Sequence, residues 1–303
     1  MKHPLAALIE KKKSVVIDGA MSTALEALRC DLNDPLWSAK VLYEAPEKIR
    51  KVHENYFKAG ANVAITASYQ ASEKGFADKR ISAEEAYRLI KLSVELAKEA
   101  KAAINDDSDE LLVAGSVGPY GAYLADGSEY RGDYSLSFDE YKAFHRLRID
   151  ALKEGGADLI AVETMPRLDE VEAILSLLEE TGQSCWVTFT LKDETHIASG
   201  TSLAEAAAVC AKHPSVDAIG INCVKQELVA GALEAMKDCG KPLIVYPNSG
   251  EVYDPTTKTW HHGADSNGWS SYIGKWQVLG ASCFGGCCRT LPKDIMEITS
   301  LLR

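Results

Sequence analysis

Long apolar runs are missing from this chain. No segment of its 303 residues approaches the roughly 20 apolar residues that a membrane-spanning helix needs. Positive charge is in short supply as well. The 33 Lys and Arg stand against 44 Asp and Glu, a formal net charge of -11, which disfavours nucleic acid or an anionic membrane as partner. The N-terminus lacks the order of a signal peptide, because Glu10 and Lys11, Lys12 and Lys13 follow the apolar patch at residues 5–9. A cytoplasmic protein is expected, and its eight cysteines are then expected as thiols or metal ligands. No G-x-G-x-x-G follows the first strand candidate, and no linker or low-complexity segment divides the chain.

What is present is a regular alternation. Short apolar runs at 15–17, 63–65, 111–117, 159–162, 186–190, 218–221, 243–245 and 283–284 read as eight strands. They are apolar on both faces, as buried parallel strands should be. Helix-like segments lie between them. The stretch 83–104 places Ala86, Leu89, Ile90, Ala97 and Ala100 on one face. Ser82, Ser137, Ser202 and Asp169 each precede a glutamate by three residues, a helix-start signature. Pro292 is a good first-turn residue for the last helix. Eight strand–helix units predict a (β/α)8 TIM barrel, with an open doubly wound sheet as the alternative. Two connections, 118–136 and 248–267, are long enough to suggest function.

A parallel barrel places its chemistry at the C-terminal ends of its strands. There the apolar runs give way to Asp18-Gly19-Ala20, Thr66 to Tyr69, Glu163-Thr164, Asn222-Cys223, Tyr246-Pro247-Asn248 and Gly285-Gly286-Cys287-Cys288. Adjacent cysteines do not readily bond to each other. Cys223, Cys287 and Cys288 could instead supply three thiolates to a zinc ion with one open position, and the two glycines would let the backbone turn both neighbours toward it. Cys287-Cys288 as a packed pair and Cys223 as a small buried residue remain the alternative, and the spacing is not that of a zinc finger. Cys30, Cys185, Cys210, Cys239 and Cys283 read as structural. His261 and His262, in the last long connection, are rival ligands. Asp18 and Glu163 could hold an ammonium group while N–H groups after Asp18 hold a carboxylate, or each could be an ordinary turn or rim carboxylate.

Asp18-Gly19-Ala20-Met21, Glu163-Thr164, Gly220-Ile221-Asn222-Cys223 and Gly285-Gly286-Cys287-Cys288-Arg289 resemble the homocysteine S-methyltransferases, over essentially the whole chain. The resemblance implies one homocysteine-binding barrel domain over residues 1–303. It implies one zinc ion held by Cys223, Cys287 and Cys288, with the sulfur of L-homocysteine in the open position. It assigns the amino-acid end of homocysteine to Asp18, Gly19, Ala20 and Glu163, and no catalytic residue beyond the zinc site. Some members carry two glycines after the aspartate, where this chain has Gly19-Ala20; a backbone contact would survive that change. Segments 65–70, 118–132 and 246–251 resemble the members that take methyl from S-methylmethionine, a sulfonium. Betaine and S-adenosylmethionine are the alternative donors, and a non-catalytic zinc- or thiol-binding barrel is the reading from another class. Trp37 and Tyr69 lie near positions that the family uses around its donor. Tyr120, Tyr123, Tyr130 and Tyr134 are further candidates for a cationic donor, since aromatic faces attract cations modestly.

Overall fold

The computed structural model describes residues 1–104, 110–254, 259–262 and 268–303, with backbone alone at 251–254 and 259–262. Eight parallel strands form one sheet: β1 (Val15–Val16), β2 (Val63–Ile65), β3 (Leu112–Val117), β4 (Leu159–Met165), β5 (Cys185–Phe189), β6 (Val216–Asn222), β7 (Leu243–Tyr246) and β8 (Ala281–Phe284). Strand β8 returns to pair with β1, and a parallel bridge between Ile17 and Val63 joins β1 to β2. Asn62 N–H donates to Val16 O at 2.7 Å and Asp18 N–H to Val63 O at 3.0 Å across that seam. The sheet therefore closes on itself, and the open-sheet alternative falls.

Continuous apolar runs become strands buried on both sides because side chains alternate between barrel interior and helix shell. Along β4, Leu159 and Ala161 join the interior cluster, while Ile160 and Val162 pack outward. Trp186 and Ala218 point inward, and their neighbours Val187 and Ile219 outward. The helix Pro4–Lys12 adds Leu5, Leu8 and Ile9 to the interior cluster. His3, just before it, reaches Asp217 at the start of β6, at 2.6 Å. That helix plugs the N-terminal end of the barrel and leaves the other end open. Each fully buried side chain of this kind contributes about 1.5–3 kcal/mol.

The helix between β2 and β3 runs Ala83–Ala103, with Ser82 accepting from Glu85 N–H. Ser137 forms a complete capping box with Glu140, and Ser202 caps the helix Leu203–Ala211. Asp169 departs from expectation. The helix Leu168–Thr181 starts two positions earlier, after Arg167, and has no side-chain cap. Arg167 grips both oxygens of Asp169, at 2.9 and 2.7 Å, so this carboxylate serves an ion pair instead. The long connection after β3 contains a short helix, Tyr120–Leu124, and a 3-10 turn, Ser128–Tyr130. The connection after β7 carries an antiparallel hairpin, Glu251–Asp254 with Thr259–His262.

Gly220, facing inward on β6, allows the closest approach in the barrel wall. A Cβ there would lie 1.7 Å from Ile244 O. Gly220→Ala should therefore cost about 3 kcal/mol or more by forcing β6 from β7. Urea denaturation checks this; an unchanged midpoint would mean that the strands yield freely.

Candidate metal centre and substrate pocket

Cys223 follows β6, and Cys287 and Cys288 follow β8. Their three sulfurs lie within 4.8 Å of one another at the open end of the barrel, with Cys223 Sγ 3.4 Å from Cys288 Sγ. Zinc–sulfur bonds of about 2.3 Å in a tetrahedron put sulfurs about 3.8 Å apart. The three sulfurs thus bracket the spacing that a metal ion requires, and small side-chain shifts would complete it. Among the described residues no other His, Cys, Asp and Glu group of three converges this way. The remaining cysteines, Cys30, Cys185, Cys210, Cys239 and Cys283, are free, and Cys283 is buried in the barrel interior. The side chains of His261 and His262 lie outside the described residues.

Backbone geometry aims the thiols. Asn222 obeys the inward parity of β6, but Cys223 adopts φ 55° and so turns its side chain out of that alternation. Left-handed φ is strained for a residue with a Cβ, at about 1–3 kcal/mol. Thr164, near the end of β4 where its register with β5 shifts, shows the same feature at φ 58°. The two are linked: Asn222 Oδ1 accepts Thr164 N–H at 2.7 Å, and Asn222 Nδ2 donates to Thr164 Oγ1 at 2.8 Å. Gly285 and Gly286 do not perform the turning expected of them, since neither has positive φ. They provide space. A Cβ on Gly285 would meet Ile17 Cβ at 2.9 Å, and one on Gly286 would meet Thr290 at 2.5 Å. Cys287 N–H donates to Pro247 O at 2.8 Å and Cys288 N–H to Asn248 Oδ1 at 3.1 Å, fixing the cysteine pair to the end of β7.

Packed this closely, the thiols cannot all ionise unaided. Cys288 is held well below the ordinary thiol range by hydrogen bonds from Cys223 and Cys287, while Cys287 is pushed well above it by its bonds to the other two sulfurs and by burial. A divalent cation would remove that conflict.

Below the sulfurs lie two buried carboxylates. Asp18 Oδ2 accepts Ile65 N–H at 2.9 Å, and its Oδ1 has no partner among the described residues. Glu163 accepts from the Ser116 hydroxyl and, at 3.2 Å, from Tyr246 OH. Burial pushes Asp18 well up, and the charge of Glu163 pushes it further. Burial likewise lifts Glu163 to about 7, against the pull of its bonds from Ser116 and Tyr246. The turn after Asp18 is stapled to the cysteine loop by two residues that sequence reading missed. Ala20 N–H donates to Thr290 Oγ1 at 3.1 Å, Tyr56 OH donates to Ala20 O at 3.0 Å, and Thr290 Oγ1 donates to Cys287 O at 2.6 Å. The Gly19 N–H has no intramolecular acceptor among the described residues.

Of the aromatic candidates, Trp37, Tyr69 and Tyr130 line this pocket, together with Ile65 and Met21. Trp37 stands edge-on to Tyr69, with centroids 6.3 Å apart. Tyr130 is 45% exposed as a residue, yet its hydroxyl lies 3.3 Å from Cys223 Sγ. Tyr120 and Tyr123 pack on Phe144, outside the pocket, and Tyr134 packs on Tyr120. Beneath them runs a buried chain of charge that the sequence did not announce. Arg148 donates to Tyr69 O, Gly118 O and His145 Nδ1, each at 2.7 Å. A guanidinium only donates, so His145 carries its proton on Nε2 and donates it in a hydrogen bond to Glu170 Oε1 at 2.8 Å. Glu170 also accepts Tyr120 N–H and Tyr134 OH, both at 2.6 Å. One buried network thus fixes Tyr69 and both ends of the segment that carries Tyr130.

Comparisons with known proteins agree with this geometry. The sequence model of homocysteine S-methyltransferase matches residues 15–302. The homocysteine S-methyltransferase of Escherichia coli (strain K12) is 51% identical over 302 residues, spanning 98% of this chain and 97% of that protein. A selenocysteine Se-methyltransferase of Brassica oleracea var. italica is 44% identical over 301 residues, covering 93% and 87%. Among solved structures, the metallated form of the homocysteine methyltransferase MmuM from Escherichia coli superposes with a TM-score of 0.89 at 47% identity, covering 98% and 99%. No helix among the described residues is long and apolar enough to cross a membrane.

Glu163 yields a test in the ligand- and metal-free protein. Its carboxyl rises from 4.5 in the unfolded chain to about 7 on folding. The folded state therefore holds this proton more tightly, and the stability so gained is full below about pH 4.5 and lost as pH rises through about 7. The difference is about 3 kcal/mol. Urea titrations at about pH 5 and about pH 8 should show a smaller pH effect in Glu163→Gln by that order. Equal pH effects in both proteins would mean that Glu163 ionises freely.

Proposed function

Because the chain belongs to the homocysteine S-methyltransferase family, we propose that it moves a methyl group from a sulfonium donor, S-methylmethionine by preference, to the sulfur of L-homocysteine, giving methionine. The observation that carries this reading is the meeting of three thiols with the buried Glu163 and the Gly19-Ala20 turn in one pocket. Cys223, Cys287 and Cys288 would hold one zinc ion. Bound there, zinc supplies a Lewis acid that keeps the homocysteine sulfur ionised at neutral pH and leaves it a fourth position.

The protein's own residues do the rest. The charge of Glu163 acts on Asp18, neither carboxylate has an ion-pair partner among the described residues, and the ammonium of homocysteine would provide one. The unpartnered Asp18 Oδ1 is the acceptor waiting for it. Gly19 N–H and the N–H groups that open the following helix at Met21 would take the carboxylate. In the reaction the homocysteine sulfur attacks the donor's methyl carbon, and the departing bond's electron pair returns to the sulfonium sulfur as a neutral thioether. Ionising a thiol of pKa about 8.5 at pH 7 is worth only about 2 kcal/mol. Holding attacking sulfur and methyl in line is worth about 7–11 kcal/mol, so alignment dominates. The faces of Trp37 and Tyr69 suit a sulfonium better than a carboxylate would, since its charge disappears in the transition state. Eight free thiols suit a reducing, cytoplasmic compartment.

Cys287→Ala or Cys288→Ala should lose both zinc and turnover, measured by metal analysis and methionine formation; full activity in a metal-free variant would end this reading. Comparing kcat/KM for S-methylmethionine, S-adenosylmethionine and betaine at fixed homocysteine should rank S-methylmethionine first. Bound zinc with no methionine from any donor would favour a non-catalytic thiol-binding barrel.

A further inference from the structure

Four neighbouring strands, β4 to β7, each send one polar side chain into the barrel interior: Glu163, Thr188, Asn222 and Tyr246, all buried. Their oxygens touch in a row. Asn222 Oδ1 lies 2.8 Å from Thr188 Oγ1, Thr188 Oγ1 2.7 Å from Tyr246 OH, and Tyr246 OH 3.2 Å from Glu163 Oε2. The Asn222 amide cannot flip, because Thr164 N–H at 2.7 Å requires its oxygen. The other oxygen of Glu163, Oε1, is taken by the Ser116 hydroxyl. Trp186 Nε1–H donates to Tyr246 OH at 3.0 Å, so it supplies none of the three contacts in the row.

Three oxygen–oxygen contacts at hydrogen-bond distance need three hydrogens. Thr188 and Tyr246 carry one each, and an ionised Glu163 brings none. If Tyr246 donates to an ionised Glu163, the Thr188 hydrogen can serve either Asn222 or Tyr246. Two oxygens are then left facing each other at 2.7 or 2.8 Å with no hydrogen between them. A hydrogen on Glu163 Oε2 removes the conflict. Glu163 then donates to Tyr246, Tyr246 to Thr188, and Thr188 to Asn222.

We propose that Thr188 is a positioning residue that keeps Glu163 protonated on Oε2 in the empty pocket, and that the ammonium group of homocysteine displaces this proton as it binds. The inference rests on the reading of Glu163 as part of the homocysteine site. The proton leaves to solvent, and the Tyr246 hydroxyl turns from Thr188 to Glu163 Oε2. Other charges act on Glu163 as well. Burial raises it most, Cys223 raises it further, and Arg148 lowers it; Asp18, Tyr69 and Tyr246 in turn feel its charge. Homocysteine therefore competes with a proton at its amino-acid end, and its binding weakens as pH falls below about 7.

The test is calorimetry of homocysteine binding to zinc-loaded enzyme at about pH 6, in buffers of different ionisation enthalpy, which gives the number of protons released. The thiol contributes to that number in every variant. The native enzyme should release about one proton more than Glu163→Gln. Thr188→Val, which swaps the hydroxyl for a methyl group of like size, leaves Tyr246 free to donate to an ionised Glu163. Its release should fall toward that of Glu163→Gln, while Thr188→Ser should keep the native number. A role of Thr188 in packing alone would not move the number. Equal release from native enzyme and Glu163→Gln would overturn the proposal, and so would native release from Thr188→Val. If Glu163→Gln binds homocysteine as tightly as the native enzyme does, Glu163 does not hold the ammonium group, a failure of the underlying reading distinct from an unchanged proton number.

Discussion

Everything at the open end of this barrel depends on three sulfurs lying within 4.8 Å of one another. Two come from one strand end and the third from another, 64 residues earlier by the nearer pair. They meet because β7 sits between β6 and β8 and holds both strand ends. Cys223 N–H donates to Tyr246 O at 3.2 Å, and Cys287 N–H to Pro247 O at 2.8 Å. The close strand contact at Gly220 and the left-handed turn at Cys223 are the local conditions for this meeting. Three thiols so close repel ionisation, which makes the cluster a poor structure by itself and a good cage for a cation.

The second constraint is desolvation. The barrel mouth buries two carboxylates: Asp18, with one oxygen lacking a partner among the described residues, and Glu163, lifted to about 7. In most proteins such groups would be liabilities. Placed around one pocket, they describe the polar outline of what it binds.

Rigidity comes from a different kind of buried charge. Arg148 and Glu170 are fully buried and joined through His145, and every polar end of that relay but Arg148 Nε is bonded. Removing one partner from such a network strands the other in a low dielectric. Its acceptors are the backbone oxygens of Tyr69 and Gly118, and it also holds Tyr120 and Tyr134. The segment that presents Tyr130 is thus anchored from below, although it connects a strand to a helix over a long stretch.

Much of this was legible in the chain itself. Eight apolar runs buried on both faces determined eight parallel strands, since no polar face was left for solvent, and strand ends rich in Asp, Glu and Cys determined where the chemistry lies. The serine caps at Ser82, Ser137 and Ser202 were local and so could be read; Asp169 failed because an adjacent arginine competed for its carboxylate. Tertiary structure alone decided what depends on distant neighbours. It assigned Trp37, Tyr69 and Tyr130 to the pocket and sent Tyr120, Tyr123 and Tyr134 outside it. It gave Gly285 and Gly286 a steric role, because their neighbours Ile17 and Thr290 come from other parts of the chain. It also revealed Thr290, Tyr56, Arg148 and Glu170 as supports. Periodicity and capping are properties of neighbours in sequence, whereas pairing and desolvation are set by which residues the closed barrel brings together.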